Sequence, residues 1–326
     1  MMNRRHILQG GVLMSMGPVV LRAACVDTPI SSYDEDSTAE QVTQGLDLTG
    51  KTALVTGVNT GIGYETMRVL ALRGAHVLGT ARTAEKGRIA CDSIAGNTTP
   101  LVLELSDFDS VVACAEAARA QTDSIDMLIC NAGVLLNELQ RVRALEMHFV
   151  VNHLGHFILV NRLLEQVLAS PKGRVVVVAS RAHRSAPADG IQFDNLAGEG
   201  DFDRQRLYGH SKLANGLFAR ELAYRLEGTN ATCNALHPGV VVTNIARNLP
   251  GWQNAIFRFA GLFFLKSVEE GAATTCYVAT SPELVGVSGC YFSDCNPATP
   301  DANMLDDAMA ERLWSVSEDL TRPYLI

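Results

Sequence analysis

Tyr208 and Lys212, in the stretch Tyr208-Gly209-His210-Ser211-Lys212, are the residues whose types and spacing most directly offer chemistry. Four residues make about one helical turn, so on a helix that starts here the phenol and the ammonium share a face. A tyrosine hydroxyl ionises near pH ~10 in water and moves protons poorly at neutral pH unless a fixed cation stabilises its phenolate. Lys212 is placed to be that cation. The spacing also arises by chance on amphipathic helices, so its meaning depends on what accompanies it.

Three glycines accompany it far upstream, in Leu54-Val55-Thr56-Gly57-Val58-Asn59-Thr60-Gly61-Ile62-Gly63. They fall where a first strand passes into a first helix. There Gly57 permits the tight turn, Gly61 lets the backbone approach a pyrophosphate, and Gly63 allows close helix packing; the helix N-terminus adds N–H groups and a favourable dipole. With Asn59, Thr60 and Ile62 between the glycines, the turn predicts a bound dinucleotide.

From Leu46 onward, short β-rich runs alternate with longer helical stretches, the pattern of a parallel sheet with helices on both faces. Strands are expected at 52–56, 76–80, 101–105, 127–130, 174–179, 232–236 and 288–292. Helices are expected at 61–73, 107–121, 146–169, 208–226, 267–279 and 301–316. Val175, Val176, Val177 and Val178 suit a central strand buried on both faces. The expectation is one α/β domain at 46–326, a Rossmann-type doubly wound, mostly parallel seven-stranded sheet.

Composition narrows the function classes. The chain has 326 residues, 47% of them hydrophobic, enough for a large buried core. A net charge of −8 without any long basic run argues against a nucleic-acid partner. The eight cysteines form no Cys-x-x-Cys pair, and His153, His156, His183, His210 and His237 resemble a metal set by number only, so no metal is expected. Cys130 lies in an apolar run and reads as a small hydrophobe. Reduced thiols are expected throughout, a local Cys290–Cys295 disulfide being the alternative in an oxidising compartment.

The N-terminus differs in character. Arg4-Arg5 precede a modest apolar run ending at Leu21, and Ala23-Ala24-Cys25 follow, so residues 1–25 read as a twin-arginine-type export signal to the periplasm or cell envelope. The run holds Gly10, Gly11, Gly17 and Pro18 and is short for a membrane span. Cys25 has a second reading as a lipid-attachment residue, against which Arg22 stands, and the alternative to export is a cytoplasmic enzyme. Residues 26–45 read as a disordered tether.

Together, Thr56-Gly57 to Gly63, Asn131-Ala132-Gly133 after the fourth strand, Ser180, Tyr208 and Lys212 resemble the short-chain dehydrogenase/reductase family. Val151-Asn152-His153-Leu154-Gly155-His156-Phe157 and His237-Pro238-Gly239-Val240-Val241 narrow the likeness to its retinol dehydrogenase branch. The resemblance implies a catalytic set of Asn152, Ser180, Tyr208 and Lys212. Tyr208 would exchange a proton with the substrate oxygen, Ser180 would fix that oxygen, and Lys212 would lower the Tyr208 pKa and hold the nicotinamide ribose. Asn152 would anchor a water for proton replacement. Many relatives have Ser-Ser where this chain has Ala179-Ser180, the second position being the catalytic one.

For the cofactor, the resemblance adds Asn131, Ala132, Gly133, Pro238, Gly239, Val241 and Thr243, with Tyr208 and Lys212. The second strand ends in Gly79-Thr80-Ala81-Arg82, without the acidic residue that holds an NAD ribose, so NADP is expected in preference to NAD, with Arg82 on the 2′-phosphate. Glu104 before Leu105 stands where the family commonly has Asp facing the adenine.

The segment 244–266 is unusually apolar for a connection, with Trp252, Phe257, Phe259, Phe263 and Phe264 among its residues. Such a lid predicts a lipophilic carbonyl or alcohol substrate. Its 249–265 part also suits peripheral membrane contact or a homo-oligomer contact. Two competing readings are a catalytically silent dinucleotide-binding sensor or scaffold, and a sugar-nucleotide epimerase-type enzyme. The complete Asn/Ser/Tyr/Lys set opposes the first, and the apolar lid opposes the second.

Overall fold

The computed structural model describes Cys25, residues 28–241 and residues 266–325. Nearly all of the expected signal, Thr243 and the apolar 249–265 segment lie outside these described residues.

A twisted sheet forms the centre. Its strands are β1 (Thr52–Thr56), β2 (His76–Ala81), β3 (Thr98–Val102) and β4 (Met127–Cys130). After a separate hairpin of β5 (Arg141–Val142) and β6 (Leu145–Glu146), it continues with β7 (Arg174–Val178), β8 (Thr232–His237), β9 (Tyr291–Ser293) and β10 (Asn296–Pro297). The order is β10-β9-β8-β7-β4-β1-β2-β3. Seven strands are parallel as expected, and the two-residue β10 adds an eighth, antiparallel, at the edge.

Period-two burial explains why helices cover both faces. Leu54, Leu128, Val175 and Val177 face one core, with Phe157, Leu213, Leu217 and Trp314. Their neighbours Val55, Ile129, Val176 and Val178 face the other, with Met67, Leu70, Ala273 and Tyr277. Helices α2 (Gly61–Leu72), α3 (Ala84–Asp92) and α7 (Val268–Thr280) supply the second core, beside the short α1 (Ala39–Val42). Helices α4 (Phe108–Arg119), α5 (Gly155–Ala169), α6 (Arg204–Arg225) and α8 (Asp307–Thr321) supply the first. The chain leaves β1 for β2 in one direction and returns to β4 on its other side, and that reversal opens a crevice at the carboxyl ends of the strands.

Several expectations are corrected. Strand β3 lies at 98–102 instead of 101–105, because an edge strand tolerates Pro100, whose missing N–H has no ladder partner to lose. Helix α3 was not anticipated; it is mostly exposed and starts where Thr83 caps Lys86 N. The 146–169 helix is three elements: β6, a π-helical turn at Phe149–Leu154, and α5. Helix α6 begins at Arg204, capped by Asp203, so Tyr208 lies one turn inside it.

The supposed tether is also folded where it is described. Cys25 forms a disulfide with Cys290, and the Ser31 amide donates to Asn296 Oδ1 at 2.8 Å. Asn296 Nδ2 donates back to Tyr33 O at 2.8 Å, the Tyr33 ring packs edge-on against Tyr277, and Thr38 and Gln41 form a capping box on α1. Ala39 and Val42 are buried in the second core. This strap escapes a sequence reading because its partners lie far away in the chain. The same disulfide overturns the uniformly reduced reading and the local alternative: Cys290 pairs with Cys25, and Cys295 is a buried free thiol.

Candidate active site

At the switch point, β1 ends in the glycine turn. Gly57 and Gly61 have φ of 76° and 62°, a region that side chains other than glycine enter at a cost. A Cβ on Gly63 would lie 2.4 Å from Gly57 O and 2.5 Å from Asn131 Nδ2, so only glycine lets α2 start this close to the turn. The side chain of Thr60 makes no capping hydrogen bond to α2, whose first residues Gly61, Ile62 and Gly63 line the crevice.

The crevice has a volume of about 1560 Å³. Gly57, Asn59, Thr60, Gly61, Ile62 and Gly63 line its near wall, and Arg82, Glu104 and Leu105 lie at the ends of β2 and β3. Asn131, Ala132 and Gly133 follow β4, and Pro238, Gly239 and Val241 follow β8. Ser180, Tyr208 and Lys212 close the far end. Asn152 stands behind that lining, its Oδ1 accepting from Val134 N at 2.8 Å and its Nδ2 donating to Ser211 Oγ at 2.9 Å.

The geometry brings the catalytic candidates together. Ser180 ends the β7 segment and caps the 3₁₀ turn Arg181–Ser185 by accepting from Ala182 N. Its carbonyl is 2.6 Å from His183 Nδ1, and His183 Nε2 accepts from Asp301 N at 3.0 Å, which ties the serine loop to the C-terminal segment. Gly209 explains how Tyr208 reaches that loop. A Cβ there would lie 2.5 Å from Ala182 O, so α6 presses onto the 3₁₀ turn only because residue 209 is glycine.

Burial raises the pKa of half-buried Tyr208 to about 12, against a hydrogen bond with Ser180 that lowers it. Lys212 is 3% exposed, and its Nζ donates to Val178 O at 2.9 Å and lies 5.7 Å from the Tyr208 ring centroid. Burial lowers the pKa of Lys212 itself to about 8. For Tyr208, removal from water outweighs the Ser180 hydrogen bond. The phenol therefore keeps its proton at neutral pH.

The five histidines do not converge. His153 pairs with Ser317, His156 with Thr56 and Asn152, His210 with Gln192 N, His237 with Arg181 N, and His183 as described above. Among the described residues no group of three or more His, Cys, Asp or Glu side chains could hold a metal ion.

A dinucleotide fits the residues present. The glycine cradle is one that a Cβ would fill, and the uncapped helix start and the buried ammonium suit a phosphate and a ribose respectively. At the end of β2 the crevice is cationic, because Lys86 from the first turn of α3 joins exposed Arg82 there. Sequence reasoning missed Lys86 together with α3, although its place four residues after Arg82 was the available signal. Glu104 turns back onto Ser106, accepting from its amide and hydroxyl at 3.1 and 2.7 Å through Oε1.

Comparison with known proteins agrees with this geometry. The family described as short chain dehydrogenase matches residues 51–254. The chain belongs to the short-chain dehydrogenase family. Within it, this oxidoreductase is 41% identical over 286 residues to human retinol dehydrogenase 11, covering 85% of this chain and 88% of the relative. It is 38% identical over 300 residues to a chloroplastic short-chain dehydrogenase, TIC 32 B of Brassica napus, covering 88% and 93%. A solved structure of an uncharacterised protein from Mycobacterium paratuberculosis superposes with a TM-score of 0.70 at 30% identity, covering 86% of this chain and 97% of that one. A Pseudomonas aeruginosa RhlG/NADP complex superposes with a TM-score of 0.62 at 25% identity, covering 76% and 95%. The retinol dehydrogenase resemblance of this short-chain dehydrogenase thus extends over most of the chain.

Sequence reasoning also missed the support of the loop after β4. Glu146 accepts from the amides of His148 and Phe149 and lies 2.6 Å from His148 Nδ1, and His148 Nε2 accepts from Leu136 N at 2.9 Å. A ring nitrogen that accepts an amide proton leaves the other to donate, so His148 links the carboxylate to the loop carrying Val134, Leu135 and Leu136 along the crevice. Placing Glu146 and His148 within one long helix hid this bridge.

Proposed function

We propose that this protein is an NADP-dependent oxidoreductase that transfers hydride between the nicotinamide and a lipophilic carbonyl or alcohol. The observation that carries the proposal is the position of Ser180, Tyr208 and Lys212 at one end of the crevice that begins at the glycine turn. Gly57 to Gly63 would hold the pyrophosphate, Arg82 and Lys86 the 2′-phosphate, and Lys212 the nicotinamide ribose. When bound, the cofactor supplies or receives the hydride. In reduction, Tyr208 gives its proton to the carbonyl oxygen while Ser180 donates a hydrogen bond to the same atom. In oxidation, Tyr208 takes the proton back. Asn152 ties the loop after β4, through Val134 N, to the Ser211 hydroxyl on the helix turn between Tyr208 and Lys212.

A lipophilic substrate is supported by Val134, Leu135, Leu136 and Val151 along the crevice, by the composition of the 249–265 segment and by the retinol dehydrogenase relatives. Export on a twin-arginine-type signal is supported by Arg4-Arg5 and by the Cys25–Cys290 disulfide, a bond of oxidising compartments that assigns Cys25 to the folded domain instead of to the signal or a lipid anchor. No described helix is long and apolar enough to cross a membrane.

The test is a panel of lipophilic aldehydes and alcohols with NADPH and NADH. Turnover is expected with NADPH preferred, and Tyr208→Phe should lower kcat by about 10²–10⁴-fold while leaving NADPH binding unchanged. Near-full activity in Tyr208→Phe would remove the proposed acid. Cofactor binding without turnover of any substrate would favour the sensor reading.

A further inference from the structure

His156, one turn after Asn152, belongs to no group used so far, yet it touches both halves of the site. It is 2% exposed, with Nδ1 3.0 Å from the Asn152 carbonyl oxygen and Nε2 3.0 Å from Thr56 Oγ1. A carbonyl only accepts, so Nδ1 carries the proton. Burial, the leading cause, lowers the His156 pKa to about 4, so the ring is neutral at physiological pH and Nε2 is an acceptor. The Thr56 hydroxyl then donates to Nε2. Its two lone pairs accept from Asn131 N and Ala132 N, both at 2.9 Å, and Asn131 Nδ2 donates to Thr56 O at 2.8 Å. Every hydrogen-bonding valence of that hydroxyl is filled.

The π-helical turn at Phe149–Leu154 makes the other contact intelligible. Gly155 N bonds Val150 O, five residues back, so the carbonyls here are displaced from the α-helical ladder and a side chain can reach one of them.

We propose that His156 is a positioning residue, held in a single tautomer, that couples the cofactor-binding loop after β4 to the catalytic asparagine. This proposal rests on the function proposed above. One arm fixes Thr56 and through it Asn131 and Ala132, which line the crevice. The other fixes the Asn152 backbone, whose side chain holds Val134 and Ser211.

The two arms can be cut separately. His156→Asn keeps a donor in the place of Nδ1 and loses the reach to Thr56; His156→Gln keeps an acceptor in the place of Nε2 and loses the Asn152 contact. Measured by nucleotide fluorescence and steady-state kinetics on the full-length enzyme, His156→Asn should weaken NADPH binding about tenfold with kcat little changed. His156→Gln should lower kcat about tenfold with NADPH binding little changed. If both variants lose stability, binding and kcat in parallel, His156 is only a packing residue and the proposal fails. Should either variant fail to fold, ¹⁵N-histidine NMR of the unaltered protein decides: a protonated Nδ1 and bare Nε2 support the proposal, and the opposite tautomer overturns it. The NMR and fluorescence readouts need no substrate, so failure of the proposed reaction is distinguishable from failure of this inference.

Discussion

The glycine turn and the corner that holds Ser180, Tyr208 and Lys212 line one crevice and are built by opposite means. At the turn the crevice is made by leaving side chains out: Gly63 has backbone 2.4 Å from where its Cβ would be, and Gly57, Gly61 and Gly63 line the wall. At the corner the site is made by burying polar side chains, Lys212, Asn152 and His156, each of which needs partners supplied by a different element. The first design is sterically demanding and electrostatically inexpensive. The second reverses this, since a buried ammonium with its pKa lowered to about 8 opposes folding at neutral pH.

Substitutions should break the comparison in opposite directions. The largest effect is expected for Lys212→Met, which removes the buried charge and keeps the stem. Turnover should fall by about 10²–10⁴-fold while the melting temperature rises, since Asn215 Nδ2 still donates to Val178 O. A fall in both would mean that the ammonium is net stabilising and would erase the contrast. At the turn, Gly63→Ala should lower stability by about 1–3 kcal/mol and weaken nucleotide binding in step, because the same clash with Gly57 O causes both. Urea denaturation and nucleotide titration on one preparation would show whether the two losses track each other.

A smaller, graded effect concerns acid. Burial lowers the pKa of His153 to about 3 and of His156, His210 and His237 to about 4. Between about pH 6.5 and 4 the unfolded chain therefore binds protons that the folded chain refuses. Stability is complete above pH 6.5 and falls as the pH drops, by up to about 1.4 kcal/mol per pH unit for each histidine. Unfolding midpoints measured across that window should follow this slope. A flat profile would show that these rings are not held neutral.

What was legible in the sequence divides along the same line. The glycine turn, Asn131-Ala132-Gly133 and the Tyr208/Lys212 spacing are local patterns, each read from neighbours in the chain, and the structure brings them to one crevice. The sheet was legible for the same reason, since runs such as Val175 to Val178 carry their own periodicity. The supporting contacts were not. Glu146, His148 and Leu136 meet only because a hairpin and a π-helical turn interrupt what reads as one helix. Pro100 disguised an edge strand, the polar surface of α3 concealed Lys86, and the strap depends on Cys290 and Asn296, more than 250 residues away.

The Cys25–Cys290 bond, with its sequence separation of 265, makes a covalent circle of almost the whole domain. The strap, the glycine turn, α6 and every strand from β1 to β8 lie on that circle, and only β9 onward hangs outside it. A single cut in any surface loop between the two cysteines opens the ring without parting the molecule. A nicked chain would keep its fragments in register and run as one species until the bond is reduced, so proteolytic damage in an oxidising compartment need not mean loss of the protein.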